Sequence, residues 1–192
     1  MYRLDTMYRA IQGEGWNTGL PCTVVRFQGY NIRCPFCDTP QAQDIIGGKE
    51  YTLKALVANI KWQTLKDQIV LFTGGEPLLQ PVGSLLAYLK NVHLETNGTL
   101  PVPPGFAWVT VSPKDAPIHP CAIERADEIK WLIGEEMDVT KLLDFLDEWK
   151  YTGHVSVQPL SLGRGATSVA YQAAQRYGWR LSLQTHKFIG MA

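Results

Sequence analysis

Short apolar runs alternate along the chain with segments of helical period. Thr23–Gln28, Gln68–Phe72, Val92–Glu95, Ala107–Val111, Glu128–Ile133, His154–Gln158 and Arg180–Gln184 are rich in β-branched and aromatic residues. They read as short strands covered on both faces. Between them, Leu53–Lys66 carries Leu53, Leu56, Val57 and Ile60 on one stripe, with Thr52 placed to cap it. Val139–Trp149 turns Leu142, Leu143, Phe145 and Leu146 to one side, with Asp138 as its predicted cap, and Pro81–Asn91 and Thr167–Tyr177 also have helical period. Asp115–Arg125 fits neither period. Strand followed by helix, repeated, predicts an α/β fold whose parallel sheet curls into a small or incomplete (βα) barrel.

At 192 residues, 45% of them hydrophobic, the chain can fill one core, so residues 1–192 read as a single domain without repeats or linkers. The 18 Lys and Arg residues balance 18 Asp and Glu. That balance argues against nucleic-acid or anionic-membrane partners and leaves any binding charge to be local. Met1-Tyr2-Arg3-Leu4-Asp5 lacks the apolar stretch of a signal peptide, and no run approaches membrane-spanning length, so the expected location is the cytoplasm. There Cys22, Cys34, Cys37 and Cys121 are poor disulfide candidates, which shifts attention to metal binding, catalysis or simple burial.

Ligand sites of parallel α/β folds lie at the C-terminal ends of the strands. The residues after each predicted strand are unusual there: Tyr30 to Thr39, Thr73-Gly74-Gly75-Glu76-Pro77, Thr96-Asn97-Gly98-Thr99, Ser112-Pro113-Lys114 and Pro159-Leu160-Ser161. Any one of these is ordinary turn chemistry. Five at one end of a sheet predict a site. Within it, Cys34-Pro35-Phe36-Cys37 places two thiolates on a tight loop, able to grip one metal or one edge of an iron–sulfur cluster. A cluster of the common three-cysteine kind needs a third thiol, and the position four before Cys34 holds Tyr30.

The other cysteines have plainer readings. Cys22 lies at the start of its strand, about six residues at roughly 3.3 Å each from the loop of Cys34, and reads as a core residue. Cys121 reads as a buried or half-buried thiol, with His119 and Cys121 joining Cys34 and Cys37 in a zinc site as the alternative. Gly13-Glu14-Gly15 with Gly19 lacks the strand–turn–helix setting of a dinucleotide loop. His186, at the end of the last predicted strand, is expected to face the site or the C-terminal tail.

Several stretches together carry a resemblance. They are Ile11-Gln12-Gly13-Glu14-Gly15, Arg26-Phe27-Gln28-Gly29, Cys34 to Thr39, Thr73 to Pro77, Glu95 to Thr99, Val111 to Lys114, Gln158 to Ser161 and Gln184-Thr185-His186-Lys187. The chain resembles, end to end, the radical S-adenosylmethionine (SAM) superfamily and within it the 7-carboxy-7-deazaguanine synthase family. The resemblance implies a 4Fe–4S cluster, SAM and Mg²⁺ as cofactors. It also implies a lyase that uses a 5′-deoxyadenosyl radical to contract the ring of 6-carboxy-5,6,7,8-tetrahydropterin to 7-carboxy-7-deazaguanine, on the route to queuosine. Cys34 and Cys37 then match cluster thiolates and Thr39 the Mg²⁺ contact. Gly74, Gly75, Glu76, Ser112, Pro113, Lys114, Gln158, Pro159, Leu160 and Ser161 match SAM contacts. Ile11, Gln12, Gly13, Arg26, Thr73 and the terminal Ala192 match substrate contacts, with the Arg26 guanidinium suited to a carboxylate. A homodimer and a flavodoxin- or ferredoxin-type reductant go with the family.

Tyr30 departs from that pattern, because it stands where the family's first cluster cysteine would be. A phenol with an ordinary pKa near 10 is a poor iron ligand beside thiolates. The sequence leaves open a family member that has lost its cluster, a substituted form of an active enzyme, and a cluster completed by a third ligand from elsewhere. Two readings of other classes also stand: a protein that binds pterin or SAM without turnover, and a zinc-stabilised α/β protein.

Overall fold

The computed structural model describes residues 1–32, 47–160 and 163–190. Among them run nine strands: β1 (Tyr2–Ile11), β2 (Pro21–Phe27), β3 (Lys49–Tyr51), β4 (Ile69–Gly74), β5 (Val92–Thr96), β6 (Trp108–Val111), β7 (Glu128–Ile133), β8 (His154–Pro159) and β9 (Arg180–Leu181). They form one sheet in the order β3-β1-β2-β4-β5-β6-β7-β8-β9. The neighbouring pairs from β2 to β9 are parallel, and β1 runs antiparallel to β2 and β3. The six helices are α1 (Leu53–Gln63), α2 (Gly83–Leu86), α3 (Pro120–Glu124), α4 (Glu136–Glu148), α5 (Arg164–Tyr177) and α6 (Thr185–Phe188). The result is an incomplete parallel barrel with an antiparallel flap.

Strand alternation assigns the two faces. Val25, Phe27, Phe72, Leu94, Val111, Ile129, Ile133 and Val157 share one core with Leu56 and Ile60 of α1, Leu142 of α4 and Ala170 of α5. Each fully buried Leu, Ile or Phe there contributes roughly 1.5–3 kcal/mol of transfer free energy. The alternate positions of the same strands point into the barrel. Near β1 they are apolar, with Cys22, Val24, Ile69 and Leu71 forming a small cluster. On β5 to β8 they are polar: Glu95, Thr110, Glu128, Lys130, Ser156 and Gln158. The strands are covered on both faces, as expected, with Glu128, Lys130, Ser156 and Gln158 all buried on the inner one, which lines a polar lumen.

Other departures have local causes. β1 was not expected; it pairs as an edge-side strand with a bulge between Leu4 and Thr6, which obscures its alternation. α4 starts at Glu136, before the predicted cap. Asp138 sits in its first turn, where its Oδ2 accepts from Gly134 N at 2.7 Å and Glu135 N at 3.0 Å. The helix expected over Pro81–Asn91 is regular only over Gly83–Leu86, and the chain leaves it through a left-handed Asn91 (φ 51°) to enter β5. α1 is capped by Thr52 as predicted, Oγ1 accepting from Ala55 N at 3.2 Å, and ends at Gln63. The unassigned Asp115–Arg125 contains α3, whose His119 Nδ1 accepts from Cys121 N at 3.2 Å. The last predicted strand, Arg180–Gln184, is regular only over Arg180–Leu181; Ser182 N makes a further bond to β8, to Val157 O at 2.9 Å, and Thr185 N donates to Gly13 O at 3.0 Å. His186 therefore lies on α6 rather than at a strand end. Among the described residues no helix is long and apolar enough to cross a membrane.

Candidate functional site

The rim of the barrel is built from the loops after β2, β4, β5 and β6, tied into one body. Gly75 N donates to Phe27 O at 2.9 Å, and Glu76 N to Gly29 O at 2.8 Å. A Cβ at Gly75 would lie 1.9 Å from Gly29 O, so only glycine allows β2 and β4 to close at this point. The Glu76 carboxylate, 1% exposed, accepts from Thr96 Oγ1 at 2.8 Å, Asn97 N at 2.8 Å and Leu78 N at 3.1 Å. Burial raises its pKa against the pull of those bonds and of Lys114. Asn97 Nδ2 donates to Asn31 Oδ1 at 2.8 Å, and Ser112 N donates to Thr96 O at 2.8 Å. Lys114 Nζ in turn donates to Ser112 Oγ at 2.7 Å. Just inside the rim, Arg26 and Thr73 are register partners on β2 and β4, and Arg26 Nη2 lies 3.5 Å from Tyr8 Oη.

Below the rim the lumen holds a charged cluster. Lys130 Nζ donates to Glu14 Oε2 at 2.8 Å and Glu95 Oε2 at 3.0 Å, with the lysine side chain 5% exposed and the carboxylates 18% and 20%. Burial opposes the charge on both partners of the Glu14–Lys130 pair. Their mutual attraction outweighs it: with Gln184 and Gln158 donating as well, Glu14 falls to about 2, and Lys130 rises above the usual lysine range with help from Glu95 and Glu128. Gln12 Nε2 donates to Glu95 Oε1 at 2.9 Å. Glu14 also accepts from Gln184 Nε2 at 2.8 Å and Gln158 Nε2 at 3.3 Å, while Gln158 Oε1 accepts from Ser182 Oγ at 2.8 Å.

Two motifs at opposite ends of the chain meet here. Gln184 bonds Glu14, Thr185 N and Oγ1 both donate to Gly13 O at 3.0 and 3.2 Å, and Lys187 Nζ donates to Gln184 Oε1 at 2.7 Å. His186 packs so closely on Gly13 that a Cβ there would lie 2.2 Å from its Nδ1. The loop between β1 and β2 thus fills the lumen and is clasped by the start of α6. Its next residue but two, Trp16, stacks on His154 with centroids 3.9 Å apart. Beyond it come Trp108 at 5.5 Å and then His93 at 6.4 Å, and the Arg180 guanidinium lies over the Trp16 ring at 5.1 Å. These residues stand at the N-terminal ends of β5, β6, β8 and β9, so the stack floors the barrel.

The donor set bears on metal binding. Cys34, Cys37 and Thr39 lie outside the described residues, as do Ser161 and Ala192. Tyr30 is described: its hydroxyl donates to Gly74 O at 2.6 Å. A phenol that keeps its proton for a bond to a carbonyl is a poor iron ligand beside thiolates, so Tyr30 does not fit the place of a cluster thiolate. Cys22 does not supply the missing thiol. It lies at the far end of β2 opposite Ile69, 1% exposed, with its pKa pushed to about 12 by burial and then by Glu95. Cys121 Sγ sits 3.5 Å from Val102 O, and the His119 ring is used as a helix cap. Among the described residues no group of three or more His, Cys, Asp or Glu could hold a metal ion.

The fold therefore brings together Gly74, Gly75, Ser112, Pro113 and Lys114 at the rim, and Gln12, Gly13, Arg26 and Thr73 around the lumen. Ile11 is half exposed where β1 ends opposite Pro21, next to Gln12. The side chain of Gln158 belongs to the lumen network; Pro159 ends β8, and Leu160 follows it at the rim. Lys130, Glu128, Ser182 and the roles of Glu14 and Glu95 were not found from the sequence. The available signal was the alternation of polar and apolar residues in β5 to β8, which marks a polar inner face.

A family model described as the radical SAM superfamily matches residues 25–110. Over its full length the chain is similar to curated relatives. It is 36% identical to the 7-carboxy-7-deazaguanine synthase of Bacteroides thetaiotaomicron, across 98% of each chain. It is 31% identical to that of Escherichia coli K12, across 100% of this chain and 99% of the relative. The crystal structure of QueE from Escherichia coli superposes with a TM-score of 0.83 at 30% identity, covering 96% of this chain and 94% of that one.

Proposed function

Because the chain belongs to the 7-carboxy-7-deazaguanine synthase family of the radical SAM superfamily, we propose that it is the lyase that contracts 6-carboxy-5,6,7,8-tetrahydropterin to 7-carboxy-7-deazaguanine in 7-deazapurine biosynthesis. The superfamily's cofactors are a 4Fe–4S cluster and SAM, which together supply hydrogen-abstracting radical chemistry. The observation that carries the reading is the meeting of the Gln12-Gly13-Glu14 and Gln184-Thr185-His186-Lys187 motifs inside one polar lumen, in a chain similar to these enzymes from end to end.

On this reading SAM lies against the rim, at Gly74 to Glu76, Ser112 to Lys114 and Gln158 to Ser161. The carboxyl of Glu76 braces the loop, and the side chain of Gln158 braces the lumen, so these two act through their backbone. The pterin enters the lumen against Gln12, Gly13, Arg26 and Thr73, with Ile11 and the terminal carboxylate of Ala192 as further contacts. Arg26 pairs with the substrate carboxylate. Thr39 contributes to a Mg²⁺ site, a flavodoxin or ferredoxin supplies electrons, and the chain acts as a cytoplasmic homodimer.

Tyr30 favours a second reading, a form that binds SAM and pterin without turnover, since its hydroxyl is committed to Gly74 O. Anaerobic reconstitution of the chain and of Tyr30→Cys with iron and sulfide separates the two. The Tyr30→Cys protein is expected to retain about four irons and, with reductant, SAM and the tetrahydropterin, to yield 5′-deoxyadenosine and the deazaguanine acid. A Tyr30→Cys protein with a full cluster that cleaves SAM but leaves the pterin unchanged would overturn the proposed reaction.

A further inference from the structure

Lys130 is buried in the barrel lumen, and its bonds close a ring. Nζ donates to Oε2 of Glu95 and Oε2 of Glu14. The second oxygen of Glu95 accepts from Gln12 Nε2 at 2.9 Å, and Gln12 Oε1 accepts from the backbone N of Glu14 at 3.3 Å. The path from Lys130 through Glu95, Gln12 and Glu14 returns to Lys130. Both ends of the Gln12 amide are thereby fixed, nitrogen toward a carboxylate and oxygen toward a backbone N–H, so the amide cannot invert without breaking two bonds.

We propose that Lys130 is a positioning residue for the pterin. By pairing with Glu95 and Glu14 it holds the Gln12 amide in the one orientation that the substrate meets. Lys130 lies beneath the turn rather than on it, and it acts through residues that the β1–β2 loop presents. Without its charge, two carboxylates within reach of one ammonium would face each other in a largely closed space. If Glu95 takes up a proton or swings away, the acceptor for Gln12 Nε2 becomes a donor or is lost; if Glu14 swings away, its backbone N–H shifts from Gln12 Oε1. A pterin ring presents a fixed array of donors and acceptors, so a free or inverted amide opposite it binds less well.

The inference rests on the proposed contact between Gln12 and the pterin, and a double-variant cycle on ligand binding tests both without requiring a cluster. The probe is 6-carboxypterin, titrated calorimetrically into the intact chain, Lys130→Met, Gln12→Ala and the double variant, each first checked for native circular dichroism. Lys130→Met is expected to weaken binding about tenfold, Gln12→Ala by a similar factor, and the double variant by no more than about threefold beyond Gln12→Ala. An unchanged dissociation constant for Gln12→Ala removes Gln12 from the pterin site and with it the premise. A loss in Gln12→Ala with a Lys130→Met loss that persists undiminished in the double variant overturns the positioning role and leaves the premise standing. So does a folded Lys130→Met that binds like the intact chain. If Lys130→Met does not fold, Lys130→Arg keeps the charge but replaces the ammonium by a planar fork, and it is measured in the same two backgrounds and read by the same criterion.

Discussion

Replacing Gly75 by alanine adds one methyl group at the tightest point between β2 and β4. Its Cβ would lie 1.9 Å from Gly29 O, 2.6 Å from Gly29 C and 3.0 Å from Gly29 N, all backbone atoms that no rotamer change can move. Relief requires the two loops to part, which breaks the Gly75 N to Phe27 O and Glu76 N to Gly29 O bonds. Two backbone hydrogen bonds at about 1 kcal/mol each, with strain or an unpaired buried group on top, give a loss of about 2–4 kcal/mol. For a chain of this length each kcal/mol lowers Tm by about 2–4 °C, so the expected drop is about 4–16 °C. Differential scanning calorimetry measures it, with Gly165→Ala as the comparison. Gly165 lies in the first turn of α5 with open space around it, so alanine there should leave Tm unchanged or raise it slightly. A Gly75→Ala protein melting within 2 °C (a threshold of roughly half a kcal/mol) of the intact chain would refute the argument that close approach of the two loops selects glycine.

Two further outcomes follow from the lumen. Glu14 titrates at about 2 in the folded chain, below the ordinary carboxylate range, so its ionised form stabilises the fold above that range and the contribution disappears as pH falls toward 2. The stability gap between the intact chain and Glu14→Gln in urea unfolding should accordingly be large at about pH 7 and shrink toward about pH 3, and an equal gap at both would count against the Glu14–Lys130 pairing. Cys22, its thiol pushed to about 12, should resist iodoacetamide in the native protein at about pH 8 and react once urea unfolds it; rapid native labelling detected by peptide mass spectrometry would mean that the inner face of β2 opens.

The parallel strands and the three long helices, α1, α4 and α5, were legible because their apolar faces bury into one continuous core, which imposes the periods the sequence displays. The loops after β4, β5 and β6 were legible for a related reason: glycine, proline and asparagine cluster where the backbone must turn sharply. What escaped is the lumen. A lysine at position 130 within Glu-Ile-Lys-Trp-Leu-Ile looks like one polar interruption of an apolar run. Its meaning depends on Glu14 and Glu95, which are 116 and 35 residues away in sequence. β1 escaped because an antiparallel flap with one face partly in solvent and a bulge at its start shows no clean alternation. Tyr30 was legible as a departure from the family pattern, but its bond to Gly74 O, 44 residues away, was not.

The clasp between the two chain ends also sets when this pocket can exist. The bonds from Gln184 to Glu14 and from Thr185 to Gly13 span 170 and 172 residues. During synthesis the sheet from β1 to β8 can assemble while Gln184 is still inside the ribosome, and the β1–β2 loop must wait without its last partners. The Lys130 pair is available earlier, so the nascent chain would hold its loop by charge before it is locked by amide and backbone bonds. Ligand affinity should therefore appear late and abruptly on the ribosome, after most of the native secondary structure is already in place.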